Sequence, residues 1–458
     1  MKKFLTLFVI SLVVNSSTPC QSPTSDAALR DAIASDKAAS SPDGNVPLLS
    51  AAEHLKRADA YSANRMFPQA RAHWRRVLDN YPGDPGVSRA LFGTARSYMW
   101  ERQYEKAIPY FQRVVKEFPA TKDGREGLAF LGATFVRLGR NKEAAETYQK
   151  YTEQYPDGER IESAHLNLID ALREAGKYSD ADQWVNKTRL RFARKPAETN
   201  AVHARLRMLI YRQHWKDAAA AADELITMNR FAGSMTTADE ARYLKALALE
   251  NSGKKNEAAG IFASLAANPA SYYGSLAAAR GAAGSIVRSV PAVERSYSDH
   301  PIVFREELIK QGRLRGIDPR FLLAIMKQES SFKPGARSPA GARGLLQLVY
   351  DTAIKYNTAA GYPVFDADDL YTPAVNIAIG SVYVAELKKE FGGLYEAIAA
   401  SYNGGEDNVL RWLSRSRPKD AGVFVSEIGF AETKNYVFKV MNNYRAYRDL
   451  YNEDLMRR

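Results

Sequence analysis

Five alanines recur along the first half of the chain at a spacing of 37 residues: Ala70, Ala107, Ala144, Ala181 and Ala218. They close matching segments, Phe67-Pro-Gln-Ala70, Tyr104-Glu-Lys-Ala107, Asn141-Lys-Glu-Ala144, Tyr178-Ser-Asp-Ala181 and His214-Trp-Lys-Asp-Ala218, and a further copy ends at Ala258, 40 residues on. Eleven residues after the first four alanines stand Tyr81, Phe118, Tyr155 and Phe192, and Pro follows the first three. Each unit reads as helix, short turn, helix. The alanine lets two helices approach, and the aromatic covers the end of the stack. One such unit cannot bury its apolar face alone, so the units must stack into a solenoid. Residues 51–285 are expected to form it, and the chain is expected to be mainly all-α.

The repeats resemble the tetratricopeptide class, slightly longer than its roughly 34 residues. Such stacks present a concave surface to partners, or serve only as a scaffold for the domain behind them.

The N-terminus reads as an export signal. Met1-Lys2-Lys3 is basic, Phe4 to Val14 is an apolar run of 11 residues, and Asn15-Ser-Ser-Thr18 is polar. That run is too short to span a bilayer. Residues 1–19 are therefore expected to be a signal peptide, 20–50 a flexible linker rich in Ser, Ala and Asp, and the protein exported to the periplasm. No later run approaches a membrane span. Cys20, the single cysteine, raises the question of a lipid anchor, which Pro19 in front of it speaks against. With one cysteine there is no internal disulfide. The net charge of +12 suits a polyanionic partner, and export argues against nucleic acid.

Residues 283–303 carry Gly, Ser and Pro and lack a helical period, and 286–303 is expected to link the solenoid to a second, helix-rich domain over 304–458. The six histidines all lie at or before His300, and no cysteine lies beyond it. Chemistry in this second domain therefore falls to carboxylates, hydroxyls and amides, with no metal and no cofactor expected. One stretch stands out. Asp318 is a good N-cap and Pro319 a good first helical residue. The helix then runs almost wholly apolar from Phe321 to Met326 and ends at Glu329. Apolar surroundings and the negative end of the helix dipole both disfavour the charged form of that carboxyl. An acid so placed stays protonated near neutral pH and serves as a general acid.

Four pieces of this domain form a set: Glu329-Ser-Ser-Phe332; Ser338-Pro-Ala-Gly-Ala-Arg-Gly-Leu-Leu-Gln347; Ser401-Tyr402-Asn403-Gly-Gly405; and Glu427 through Glu432-Thr-Lys434 to Val437. Together, and in this order, they resemble the soluble lytic murein transglycosylases of bacteria, as do the Tyr272-Tyr273-Gly274 segment and the repeats before it. The resemblance implies a lysozyme-like, mainly α-helical domain. It implies cleavage of the β-1,4 bond between N-acetylmuramic acid and N-acetylglucosamine of peptidoglycan without water, leaving 1,6-anhydro ends. It carries the catalytic acid–base onto Glu329 and substrate-binding roles onto Ser338, Gln347, Tyr402, Asn403 and Glu432. Four positions depart from the family pattern: Leu346 stands where Met is usual, Val349-Tyr350 for Met-Pro, and Lys434 for Arg. A lysine lacks the guanidinium fork, so a carboxylate clamp there is expected to be weaker.

Hydrolytic glycosidases need a second carboxylate. The next acidic residue after Glu329 is Asp351, placed like a helix cap before Thr352. By sequence order Glu432 is the one plausible second carboxylate, so a hydrolytic muramidase stays open. So does a glycan-binding scaffold whose repeats recruit cell-wall proteins.

Overall fold

The computed structural model describes residues 24–39, 46–282 and 296–458. The expected signal segment, Cys20, residues 283–285 at the end of the expected solenoid and residues 286–295 of the expected linker lie outside the described residues. Those described carry 22 α-helices and one short 3-10 helix, with isolated bridges in place of strands.

Six helical hairpins stand in succession: Ala51–Ala63 with Phe67–Asn80, Val87–Trp100 with Tyr104–Glu117, Lys122–Arg137 with Asn141–Gln154, Ile161–Glu174 with Tyr178–Arg191, Pro196–Tyr211 with Trp215–Met228, and Ala238–Asn251 with Lys255–Ala266. The repeat alanines all sit in the second helix of a pair and are 0–1 % exposed. A larger side chain there would push the helices apart. Tyr81, Phe118, Tyr155 and Phe192 are the C-cap residues of their helices, as the spacing predicts. One regularity escaped the sequence. The turn inside each hairpin carries one left-handed residue, at Arg65, Arg102, Gly139, Gly176, Gln213 and Gly253. Glycine takes that conformation without a Cβ penalty, whereas the two arginines and Gln213 incur strain.

The expected linker over 20–50 contains a helix, Thr24–Ala39. Its apolar residues are too sparse to show a period, yet Leu29 and Ala32 are buried in the same cluster as Ala58 and Tyr61. Asp36 accepts from Tyr61 at 2.7 Å, pairs with Arg57, and lies 3.0 Å from His73 Nε2. Tertiary packing overrides weak local pattern here.

After the helix Tyr272–Ala282, the second half contributes helices Arg305–Arg315, Pro319–Ser330, Tyr350–Tyr356, Pro373–Glu390, Tyr395–Gly404, Glu406–Arg415, Ala421–Glu427 and Ala431–Leu450. Helix Pro319–Ser330 packs on Ala431–Leu450 and is buried from Pro319 to Met326. One hydrophobic core joins the last repeats, from Val202, to Leu455. Side-chain pairs join the solenoid to the second half at several points from the first hairpin to the last. Arg65 makes a two-pronged ion pair with Asp351 at 2.7 and 3.0 Å, and Arg102 pairs with Asp407. Asp351 is thus an ion-pair partner in the first turn of its helix, not a cap. These pairs hold the two strained arginine turns in place. Further along, Arg173 grips Glu427 at 2.7 and 2.9 Å, Glu174 takes Arg411 and Arg415, and Tyr272 bonds Glu396.

Lys434 has a role the sequence did not suggest. Its ammonium donates to both oxygens of Glu240, at 3.0 and 3.2 Å, and to Ser426 O at 3.2 Å. Its three donors do here what a fork would do elsewhere.

Candidate active site

Asp318 caps helix Pro319–Ser330 by accepting from Arg320 N at 2.9 Å, with Pro319 in the first turn. At the other end the chain turns sharply through Ser331 and Phe332, both left-handed. This places Glu329 in the last turn, against helix Ala431–Leu450. Glu329 Oε1 accepts a hydrogen bond from Tyr436 at 2.7 Å. Its Oε2 is closed off from solvent and has no hydrogen-bond partner. The carboxyl is pushed up to about 8: burial lifts it most, the Tyr436 hydrogen bond pulls it down, and the negative charge of Glu432 lifts it again. Burial is one of the two causes expected from the sequence; the other, the negative end of the helix dipole, is not among those that act here.

Tyr436 is the functional neighbour that the sequence reading missed. It lies 107 residues from Glu329. A local signal existed: Tyr436 stands four residues after Glu432 on one helix, so both side chains occupy the same face.

The Gly-rich loop is locked from inside. Ser338 is buried; its hydroxyl accepts from Ala342 N at 3.1 Å and its N–H donates to Ala342 O. The Gln347 amide donates to Ala336 O at 3.0 Å and Gly344 O at 2.9 Å. Asn376, not foreseen from sequence, holds three backbone groups of this region: Leu346 N, Arg343 O and Leu370 O. Gly344 is left-handed, and a Cβ there would overlap Leu370 O and the Asn376 carboxamide. Gly344→Ala is expected to lower unfolding free energy by about 3 kcal/mol through strain and overpacking, measured by urea denaturation. Leu346, at a departure from the family pattern, lies against Gly380. Tyr350, at another, stacks on Phe365 with centroids 5.8 Å apart.

Helix Tyr395–Gly404 delivers Tyr402 and Asn403. Tyr402 donates to Leu346 O at 2.7 Å, and Asn403 Oδ1 accepts from Thr433 at 2.7 Å. A cleft opens here between the two halves of the chain. Gln347, Tyr402 and Asn403 line one wall; Arg65, Trp100, Arg102, Tyr104 and Arg137 of the repeats line the other. Glu329, Ser338 and Glu432 do not line it. Tyr402 links the two groups, because it faces the cleft and the charge of Glu329 acts on its hydroxyl.

The arrangement can donate a proton from a neutral carboxylic acid at ordinary pH and hold the resulting carboxylate with a phenol. Removing that phenol has a readable sign. The Tyr436 hydrogen bond favours the charged form of Glu329, so Tyr436→Phe raises the pKa. The alkaline limb of the pH–rate profile is expected to move up by about 0.5–1 unit.

Residues 307–424 match the family model described as Transglycosylase SLT domain, and 55–122, 94–159 and 131–191 match Tetratricopeptide repeat. The soluble lytic murein transglycosylase of Salmonella typhimurium is 34% identical over 149 residues, which is 32% of this chain and 23% of that protein. The membrane-bound lytic murein transglycosylase C of Salmonella arizonae is 32% identical over 157 residues, 30% of this chain and 44% of that protein. The chain thus spans about a quarter of the length of the soluble relative and under half of the membrane-bound one. Over nearly the whole chain, the fold is similar to the X-ray structure of an inactive mutant of lytic transglycosylase Slt from Pseudomonas aeruginosa. That likeness has a TM-score of 0.51 at 17% identity and covers 92% of this chain and 86% of the other. The chain thus joins a stretch similar to the tetratricopeptide repeat, within 55–191, to one similar to the transglycosylase SLT domain, over 307–424.

Proposed function

We propose that the protein is a periplasmic lytic transglycosylase that cleaves the bond between N-acetylmuramic acid and N-acetylglucosamine in peptidoglycan and leaves 1,6-anhydro ends. The observation that carries this is Glu329: one enclosed carboxyl, pushed up to about 8, with a phenol on one oxygen. Protonated at neutral pH, it gives its proton to the glycosidic oxygen as the C1–O bond breaks. The carboxylate left behind keeps the Tyr436 hydrogen bond. It then takes the proton of the muramyl C6 hydroxyl as that oxygen bonds to C1. One carboxyl is acid and then base, the nucleophile belongs to the sugar, and no water is consumed.

Gln347, Tyr402 and Asn403 line the cleft wall, and in this reading they contact sugar. The Gln347 carbonyl is the end not engaged by the loop, and the Tyr402 oxygen can still accept a hydrogen bond from an acetamido N–H. Glu432 acts on Glu329 through charge, helping to keep the acid protonated. Ser338 shapes the loop that presents Gln347. We assign the chemistry to residues 304–458 and positioning of the glycan to the repeats of 51–285.

Glu432 also favours a second reading, a hydrolytic muramidase in which it activates water. Incubating purified sacculi with the full chain tests cleavage itself. Release of soluble muropeptides is expected, and sacculi that stay intact at every pH from 5 to 8 would defeat both readings.

A further inference from the structure

The cations on the repeat wall of the cleft are neutralised one by one. Arg65 is held by Asp351, and Arg102 by Asp407 with Glu406 nearby. In the adjoining cleft, Arg411 and Arg415 share Glu174 and Arg173 holds Glu427. Arg137 is different. It is half-buried in the last turn of helix Lys122–Arg137, and its one hydrogen bond goes to Ala133 O in the preceding turn at 3.2 Å. No carboxylate of the described residues lies within ion-pair distance of its guanidinium. Asp407, which also lines both clefts, is already bonded to Arg102 and to the Tyr104 hydroxyl. A carbonyl and the helix dipole offer it only partial charge, and leaving a cation enclosed and unpaired is costly. Burial duly pulls its pKa down.

Arg137 faces the same cleft as Gln347, Tyr402 and Asn403. We propose that Arg137 binds a carboxylate of the peptide stem carried by the muramyl residue, in a subsite that the repeats contribute to the cleft. This deepens the transglycosylase reading and rests on it for the nature of the substrate. On this proposal a glycan seated on the wall of Gln347, Tyr402 and Asn403 turns its lactyl-linked acidic peptide toward the facing wall. The guanidinium fork matches a carboxylate in a two-pronged pair. Trp100 and Tyr104 beside it supply an apolar and aromatic surface for the rest of the peptide.

Disaccharide–peptide fragments contain no bond of the cleaved kind, so they bind the active chain at equilibrium. Calorimetric titration uses these fragments with their peptide carboxylates free or amidated, against the full-length wild type, Arg137→Gln and Arg137→Lys. The wild type is expected to bind the free-acid form about tenfold or more tightly than the amidated form. Arg137→Gln is expected to bind both alike, and Arg137→Lys to recover part of the preference. Equal affinity of the wild type for the two forms overturns the proposal without any variant, as does absence of binding. An Arg137→Gln chain that discriminates as the wild type does also overturns it. The two readings fail separately. A chain that shows the Arg137-dependent preference yet releases nothing from sacculi keeps this subsite and loses the transglycosylase.

Discussion

Glu329→Gln is expected to abolish release of muropeptides while making the folded protein more stable at neutral pH. The two effects have one cause. Gln keeps the shape of the carboxyl and can accept the Tyr436 hydrogen bond, but it has no proton to give. Loss of the proposed acid–base group removes at least the 10²–10⁴-fold typical of general acid catalysis, and more where one group serves both steps. The stability sign comes from linkage. The carboxyl has a pKa of about 8 folded against an ordinary 4.5 unfolded, so between those values the unfolded chain binds fewer protons. Stability then falls as pH rises from about 4.5 toward 8, and none of this cost is present below 4.5. Gln removes a penalty on the order of 1–3 kcal/mol at pH 7. Thermal melts at pH 4 and pH 7 check it. The variant should match the wild type at pH 4 and melt higher at pH 7. A lower melting point at pH 7 would mean the carboxyl is ionised and well solvated, contrary to the account.

The second large effect lies at the joint between the two halves. Glu427 is fully buried and takes Arg173 at 2.7 and 2.9 Å and Arg207 at 3.1 Å, with Arg415 Nε at 3.2 Å. Burial opposes its charge, but these three arginines win and hold its carboxyl down at about 2. Arg207 and Arg415 have Asp170 and Glu174 as further partners. Among the described residues Arg173 has Glu427 as its one ion-pair partner, with a long bond to Arg207 O at 3.5 Å and the Tyr211 ring 5.5 Å from its guanidinium. Glu427→Ala therefore leaves a buried guanidinium uncompensated and opens a gap beside it. A loss of about 3–5 kcal/mol is expected, the cost of removing one partner of a buried pair, read by denaturant unfolding at pH 7. In the wild type the same group has a depressed folded pKa. Its contribution is present above about 4.5 and is lost as pH falls through about 2. The variant should lack that part of the acid dependence.

How far the sequence was legible depended on range. The 37-residue period survived because close helix approach demands alanine at one position in every hairpin. The cap at Asp318 and the enclosed end of its helix were readable because both are set within a few residues. Partners far apart were not readable. Tyr436 reaches Glu329 across a helix–helix contact, and Asp351 looked like a cap until Arg65 was seen opposite it, 286 residues away. Arg65 and Arg102 hold turn positions where glycine would be expected, because ion pairs to the second half compensate the strain. The partner of Lys434, Glu240, lies 194 residues earlier in the repeats, so nothing local to the lysine points to it. Helix Thr24–Ala39 was invisible for a related reason: what holds it is Asp36 meeting Arg57, Tyr61 and His73, none of them local.

The central claim is that one carboxyl does both proton transfers and the sugar supplies its own nucleophile. Mass spectrometry of the muropeptides released by the wild type from sacculi tests it most directly. The account predicts product ends one water lighter than a reducing sugar, the 1,6-anhydro form, and none from Glu329→Gln. Reducing ends of full mass, lost on Glu432→Gln, would contradict it and identify a hydrolase that uses Glu432 to activate water.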